Sequence, residues 1–158
     1  MRIVALNDTL LADVEQLMAL GEPYVRARTS SDYWLYSALF STTCPVAVID
    51  GRVVGAVVAM RSQDDPGDIY VQDVMTHPEH RGQGIAQALL QSVIDQATAW
   101  QCHRIYLTSE PDNRAAATTW AKLGFTNLPG DQVIDGIQVI SNFKGPGKDR
   151  AVYQLTLP

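Results

Sequence analysis

The spacing of apolar positions along this chain changes several times, and each change marks an element. Leu10, Val14, Leu17 and Met18 recur at helical spacing, with Asp8 or Thr9 as the cap and Gly21 as the stop. A second, short helix is predicted over 32–40, after Ser30 and Ser31, with Leu35 and Leu39 among its apolar positions. Two β-branched runs, 45–49 and 53–60, flank Asp50-Gly51, a strong hairpin signal. Asp64-Asp65-Pro66-Gly67 reads as a turn, and 69–75 as a third strand. The longest helix is predicted over 85–100, with Ile85, Leu89, Val93 and Ala97 on one face. A strand at 104–109 and a helix at 115–123, stopped by Gly124, follow it. Segments 136–143 and 151–157 read as final strands around a Gly/Pro-rich loop. Helices, hairpin, strand, helix, strand, helix, strands: that order predicts a mixed α/β sandwich rather than a purely parallel wind. No repeat, low-complexity tract or linker interrupts it, so 1–158 is expected to be one domain with a core of its own.

Charge and composition narrow the classes of function. A net charge of −5 argues against a nucleic-acid surface, which needs a basic stripe. It leaves room for an anionic cofactor, which responds to the local field, and it suits a cationic substrate such as an amine. Asp8, Asp13 and Glu15 interrupt the first twenty residues, which are expected to be neither a signal peptide nor a membrane span. Cys44 and Cys102 are the two cysteines and lie far apart, as expected of reduced thiols in a cytoplasmic protein.

The candidate chemistry gathers at Arg81-Gly82-Gln83-Gly84-Ile85-Ala86, between the strand over 69–75 and the longest helix. Small residues let a backbone bend tightly and approach a ligand closely. The first turn of a helix presents unpaired N–H groups at the positive end of the macrodipole. A strand, a glycine turn and a helix start therefore predict a phosphate receptor, with Arg81, His77 and His80 adding positive character. The dinucleotide pattern G-x-G-x-x-G fits worse, because Gln87 stands where the third glycine belongs. Gly145-Pro146-Gly147-Lys148-Asp149 lacks the spacing and the Ser or Thr of a Walker A loop.

Arg81, Gly84 and Ala86 fit R/Q-x-x-G-x-G/A. About thirty residues on, Asn113, Ala116, Lys122, Gly124 and Phe125 fit N-x-x-A-x-x-x-Y-x-K-x-G-F. With these two motifs, the stretch from Ile69 to Phe125 resembles the GNAT family of N-acetyltransferases. The resemblance implies a mostly antiparallel central sheet, splayed between two parallel strands and flanked by about four helices. It implies acetyl-CoA as cofactor and transfer of its acetyl group to an amine. Carried onto this chain, Val74, Met75 and Thr76 would pair with the pantetheine arm. Residues Arg81, Gly82, Gln83, Gly84, Ile85 and Ala86 would hold the pyrophosphate. Asn113 would hold the pantetheine or pyrophosphate region from the other side, beside Ala116 and Trp120. A bulge would splay the strand over 69–75 from that over 104–109, and an N–H there would stabilise an oxyanion.

Trp120 stands where the family pattern has Tyr, the usual proton donor to the leaving thiolate. An indole N–H donates a hydrogen bond but does not give up its proton, so Trp120 reads as packing or as a cofactor wall. Tyr106 and Tyr153 are alternative donors, although strand tyrosines more often belong to a core. Asp73 is the first candidate for the base, or for a group binding the substrate's positive charge, and Glu110 is the second. His77-Pro78-Glu79-His80 lacks zinc-helix spacing and reads as a turn, so no metal is expected. Cys44 reads as a buried thiol. Segments 24–40 and 131–148 would line the acceptor pocket. Ser31 to Tyr36 and Thr43 to Ala47 are faintly similar to diaminobutyrate acetyltransferases, which favours a small amine or amino acid over a protein tail. A protein or peptide N-acetyltransferase and a CoA-binding module with little turnover are the rival readings. An exposed sheet edge or exchange of the final strand could form a homodimer.

Overall fold

The computed structural model describes residues 1–158. In chain order the elements are β1 (Arg2–Ala5), α1 (Leu11–Ala19), α2 (Ser30–Phe40), β2 (Pro45–Ile49), β3 (Arg52–Arg61) and β4 (Asp68–Thr76). Then come α3 (Ile85–Ala99), β5 (Arg104–Ser109), α4 (Arg114–Lys122), β6 (Thr126–Asn127), β7 (Gln132–Ile134), β8 (Ile137–Val139) and β9 (Ala151–Thr156). Seven strands form one sheet in the order β1-β2-β3-β4-β5-β9-β6, and β7 and β8 form a separate hairpin. Only β4 and β5 run parallel. The mixed α/β layering expected from the element order is present, with four helices.

Each face of the sheet buries its own core. α3 lays Ile85, Leu89, Leu90, Val93 and Ala97 on one face, where they pack with Val57, Ile69 and Leu107. Full burial of such a side chain is worth ~1.5–3 kcal/mol, so this face anchors the helix firmly. Gly55 lets it approach: a Cβ there would lie 2.7 Å from Ile85 Cγ2 and 3.0 Å from Leu89 Cδ1. The other face buries Val14, Leu17 and Met18 of α1 and Tyr33 of α2 against Val46, Ala56, Val58 and Met75.

Several elements differ from the sequence reading. β1 lies in what reads as the lead-in to a helix; its four residues pair with β2 along a sheet edge. Asn7, not Asp8 or Thr9, caps the short 3-10 turn before α1, its side chain accepting from the Thr9 N–H. In α2 the expected apolar positions, Leu35 and Leu39, face solvent (38% and 67% exposed), while Tyr33 is wholly buried. The helix is apolar nearly all round, so spacing does not choose its buried face. The choice falls to Tyr33, Tyr36 and Phe40, which pack on the α1 side core. The helix starts two residues earlier than expected, on a capping box in which Thr29 and Asp32 serve each other's backbone. The segment over 136–143 does not join the central sheet. It holds β8 and continues into a single bridge, Ile140 to Arg150. Asp135 and Gly136, both left-handed, turn it back on β7.

Candidate active site

β4 carries an irregularity that the sequence alternation conceals. Along β3 the register runs Val58↔Asp73 and then Ala59↔Val71, so Gln72 is an extra residue, a β-bulge. Ile69, Val71, Asp73 and Met75 alternate in sequence and are all buried. The bulge nevertheless sends them to opposite faces. Ile69 and Val71 join the α3 core, Met75 joins the α1/α2 core, and Asp73 pairs with Arg28 from the segment between α1 and α2.

The same bulge ends the parallel pairing. β4 and β5 are joined from Asp68↔Arg104 to Val71↔Leu107 and then part. Arg104 holds the joined end. Its guanidinium donates to Asp68 at 2.9 Å and to Gln154 at 3.0 Å, bridging β4, β5 and β9. Past Leu107 the gap becomes a cleft of about 930 Å³ that connects the two faces of the sheet. Val71 to Thr76 line one side and Leu107 to Glu110 the other. From Asp73 onward β4 has β3 on one edge and no strand on the other.

On the α3 and α4 face, the cleft meets the loop before α3. Gly82 and Gly84 have φ of 79° and 77°, a region that glycine enters freely, and nothing lies within 4 Å of a Cβ at either. Gly84 is the N-cap of α3, and no side chain caps the helix. The first helical bond runs from the Ala88 N–H to the Gly84 carbonyl at 3.0 Å, and the amides of residues 81–84 find no acceptor within the chain. Arg81, Gly82, Gly84, Ile85 and Ala86 line the cleft, whereas Gln83 is exposed outside it. The Ile85 side chain is buried in the core, so that residue offers the cleft its backbone. Asn113 also lines the cleft. Its side-chain oxygen is occupied as the cap of α4, accepting from the Ala116 N–H at 3.2 Å. Trp120 packs with Phe125, ring centroids 6.0 Å apart, and donates its indole N–H to Ser109 Oγ at 2.9 Å.

On the α1 and α2 face, Asp73 is 8% exposed, with Arg28 Nε 3.3 Å from its carboxylate. Burial pushes the Asp73 carboxyl above its ordinary range; Arg28, and Lys144 more weakly, pull against that. Arg28 is itself positioned, because its backbone N–H donates to the buried Tyr33 hydroxyl at 3.0 Å. Lys144 arrives from the loop after β8 and donates to the Tyr70 hydroxyl at 3.0 Å. That loop is tied internally: Asp149 accepts from the Asn142 N–H at 2.9 Å, and Asn142 accepts from the Gly147 N–H at 2.8 Å. Glu110 sits at the mouth, 3.9 Å from Arg26. Arg26, Arg28, Arg81, Lys122, Lys144 and Arg150 line the cleft against only Glu22, Asp73 and Glu110. The cleft is therefore locally basic in an acidic chain.

The remaining sequence candidates lie elsewhere. Tyr153 is buried in the α3 side core with its hydroxyl unpartnered, and it does not line the cleft. Tyr106 stacks under Arg104 beside the joined end of β4 and β5. Burial pushes the Cys44 thiol up to about 12, so it offers no thiolate nucleophile. The His77 ring accepts from the Glu79 N–H at 3.1 Å within its own turn. Arg28 and Lys144 fall inside the two segments expected to line an acceptor pocket, but nothing in the sequence singled them out. Ser109 was not anticipated, since its pairing with Trp120 depends on how α4 docks.

A bulged strand, a parallel pair that splays and an uncapped glycine turn at a helix start define one class of protein. A model of the acetyltransferase (GNAT) family matches residues 12–125, and the chain belongs to that family. It is 32% identical over 93 residues to L-2,4-diaminobutyric acid acetyltransferase of Nocardia farcinica, a match covering 59% of this chain and 48% of that protein. The chain thus spans about half the length of that relative. Among solved structures, it resembles diaminobutyrate acetyltransferase EctA from Paenibacillus lautus in complex with L-2,4-diaminobutyric acid and coenzyme A. There the TM-score is 0.78 at 20% identity, covering 98% of this chain and 93% of that one. It also resembles Arabidopsis thaliana Naa50 in complex with a bisubstrate analogue, with a TM-score of 0.77 at 21% identity, covering 99% and 98%. At these identities the two structures speak for the fold. No helix is long and apolar enough to cross a membrane.

The residues present fit acetyl-CoA. The free amides of 81–84, the uncapped start of α3 and Arg81 suit a diphosphate, and the unpaired edge of β4 suits an extended amide-bearing arm.

Proposed function

We propose that this chain transfers the acetyl group of acetyl-CoA to a primary amine of a small molecule that also carries a carboxylate, an amino acid or diamino acid. One observation carries the choice of acceptor. A single buried carboxylate, Asp73, sits at the far mouth of the splay with Arg28 beside it and Lys144 held near by a structured loop. Asp73 suits a cationic amine, and the two cations suit a carboxylate on the same molecule. The likeness to diaminobutyric acid acetyltransferases supports an acceptor of that kind.

In this reading Arg81 and the amides before α3 hold the diphosphate, while the free edge of β4 over Val74, Met75 and Thr76 orients the arm. Bound there, acetyl-CoA supplies an activated acyl carbon. Asp73 takes a proton from the substrate ammonium, and its raised pKa brings it closer to a useful base. Glu110, paired at the mouth with Arg26, attracts the cationic amine. Much of the rate comes from holding two reactants in register.

A peptide or protein N-acetyltransferase is the second reading, supported by the equally close fold of Naa50. A thiol-release assay with acetyl-CoA against amino acids, diamino acids, simple diamines, aminoglycosides and peptide N-termini tests the choice. Preferential turnover of acceptors bearing a carboxylate is expected. Efficient turnover of peptides, or of diamines and amino acids alike, overturns the acceptor assignment. No release with any amine favours a CoA-binding module.

A further inference from the structure

Trp120 raises a problem of chemistry, because an indole cannot replace the phenol that the family pattern places there. Its N–H, however, is not idle. It donates to Ser109 Oγ at 2.9 Å, and the ring that carries it is fixed against Phe125. Ser109 is the last residue of β5, just past the point where β4 and β5 part, and both side chains line the cleft. An indole N–H can only donate, so Ser109 Oγ must accept, and its own hydrogen has to point elsewhere. The chain provides that hydrogen with no acceptor. Ser109 is 7% exposed and lies on the wall of the cleft. A hydroxyl that accepts from one side is polarised as a donor on the other.

We propose that Ser109, aimed by Trp120, donates a hydrogen bond to the departing sulfur of CoA. The proposal rests on the reading of the cleft as an acetyl-CoA site. As the carbon–sulfur bond breaks, the sulfur keeps the electron pair and leaves as a thiolate, which the Ser109 hydroxyl stabilises without transferring its proton. The amine nitrogen bonds to the acyl carbon; the two protons that the ammonium loses in becoming an amide pass in turn through Asp73 to solvent, and the thiolate takes one back from solvent. Trp120 is a positioning residue here: it fixes the rotor of Ser109 and touches the sulfur only through it.

The test compares CoA with desulfo-CoA, which lacks the thiol, by calorimetry on the full chain. The measurement is made at a pH above the titration midpoint of the thiol of free CoA, where the sulfur is ionised. Hydrogen bonds to a charged group predict that wild type prefers CoA over desulfo-CoA by roughly tenfold or more. Ser109→Ala is expected to abolish that preference while binding desulfo-CoA as wild type does. Ser109→Thr, which retains the hydroxyl, is expected to keep it. Trp120→Phe, which retains the ring but not the N–H, is expected to reduce it. An unchanged preference in Ser109→Ala overturns the proposal even if that variant turns over slowly. Failure of wild type to bind either compound overturns the acetyl-CoA reading itself, and this proposal with it.

Discussion

Replacing Gly84 by alanine separates two duties of that glycine, and Gly51 supplies the control. Both sit in the left-handed region, at φ of 77° and 75°, and neither has any atom within 4 Å of an added Cβ. The strain of the substitution is therefore the same backbone strain at both sites, ~1–2 kcal/mol. For a chain of this size that corresponds to a fall in melting temperature of roughly 2–8 °C. Only Gly84 lies on the cleft, at the start of α3; Gly51 is in the β2–β3 turn. A Cβ at 84 keeps a diphosphate from the amides there. Loss of one hydrogen bond to a charged group is worth ~1.5–3 kcal/mol, or roughly a ten- to hundredfold weaker affinity. Thermal melts should then fall together for Gly84→Ala and Gly51→Ala, while calorimetry with CoA finds weakened binding only in Gly84→Ala. Wild-type CoA affinity in Gly84→Ala would refute the assignment of this loop as the phosphate receptor. A similar loss in both would mean that affinity follows global stability.

Gly84→Glu adds bulk and negative charge at the same place and should abolish CoA binding, as read by calorimetry. Asp73→Asn should lower kcat/KM by ~10²–10⁴-fold. It should also remove the limb of the pH–rate profile that rises as Asp73 ionises, whereas retention of that limb would exclude Asp73 as the base. The sign for stability follows from the same upward shift. The folded state favours protonated Asp73, so its contribution is full below the ordinary aspartate range and is lost as pH rises through the raised value. Denaturant titrations should therefore show Asp73→Asn improving relative to wild type as pH rises across that window. Gly55→Ala brings a Cβ within 2.7 Å of Ile85 Cγ2 and should destabilise by ~1–3 kcal/mol in urea titrations, as α3 is pushed off the sheet.

The glycine turn before α3 was legible because its requirements are local: small residues, a strand before and a helix after. The apolar stripe of α3 was legible for the same reason, since Ile85, Leu89, Val93 and Ala97 are buried together. The bulge at Gln72 was not, because Ile69, Val71, Asp73 and Met75 keep perfect alternation while the strand changes face beneath them. The partners of Asp73 were hidden by distance along the chain: Arg28 lies 45 residues away, and Lys144 reaches Tyr70 across 74. The buried face of α2 depended on aromatic packing and on the bond between Tyr33 and Arg28, which a helix apolar on all sides does not reveal. The β7–β8 hairpin did carry a local signal. Asp135-Gly136 repeats the Asp50-Gly51 pair, but its strands of three residues are too short to show an alternation.

The central claim is that the gap between β4 and β5 takes the pantetheine arm and the loop before α3 takes the diphosphate. A crystal structure of the chain grown with CoA measures this directly. The account predicts diphosphate density against the amides around Gly82 and Gly84, and an arm lying along Val74 to Thr76. CoA bound elsewhere with this cleft vacant would contradict it.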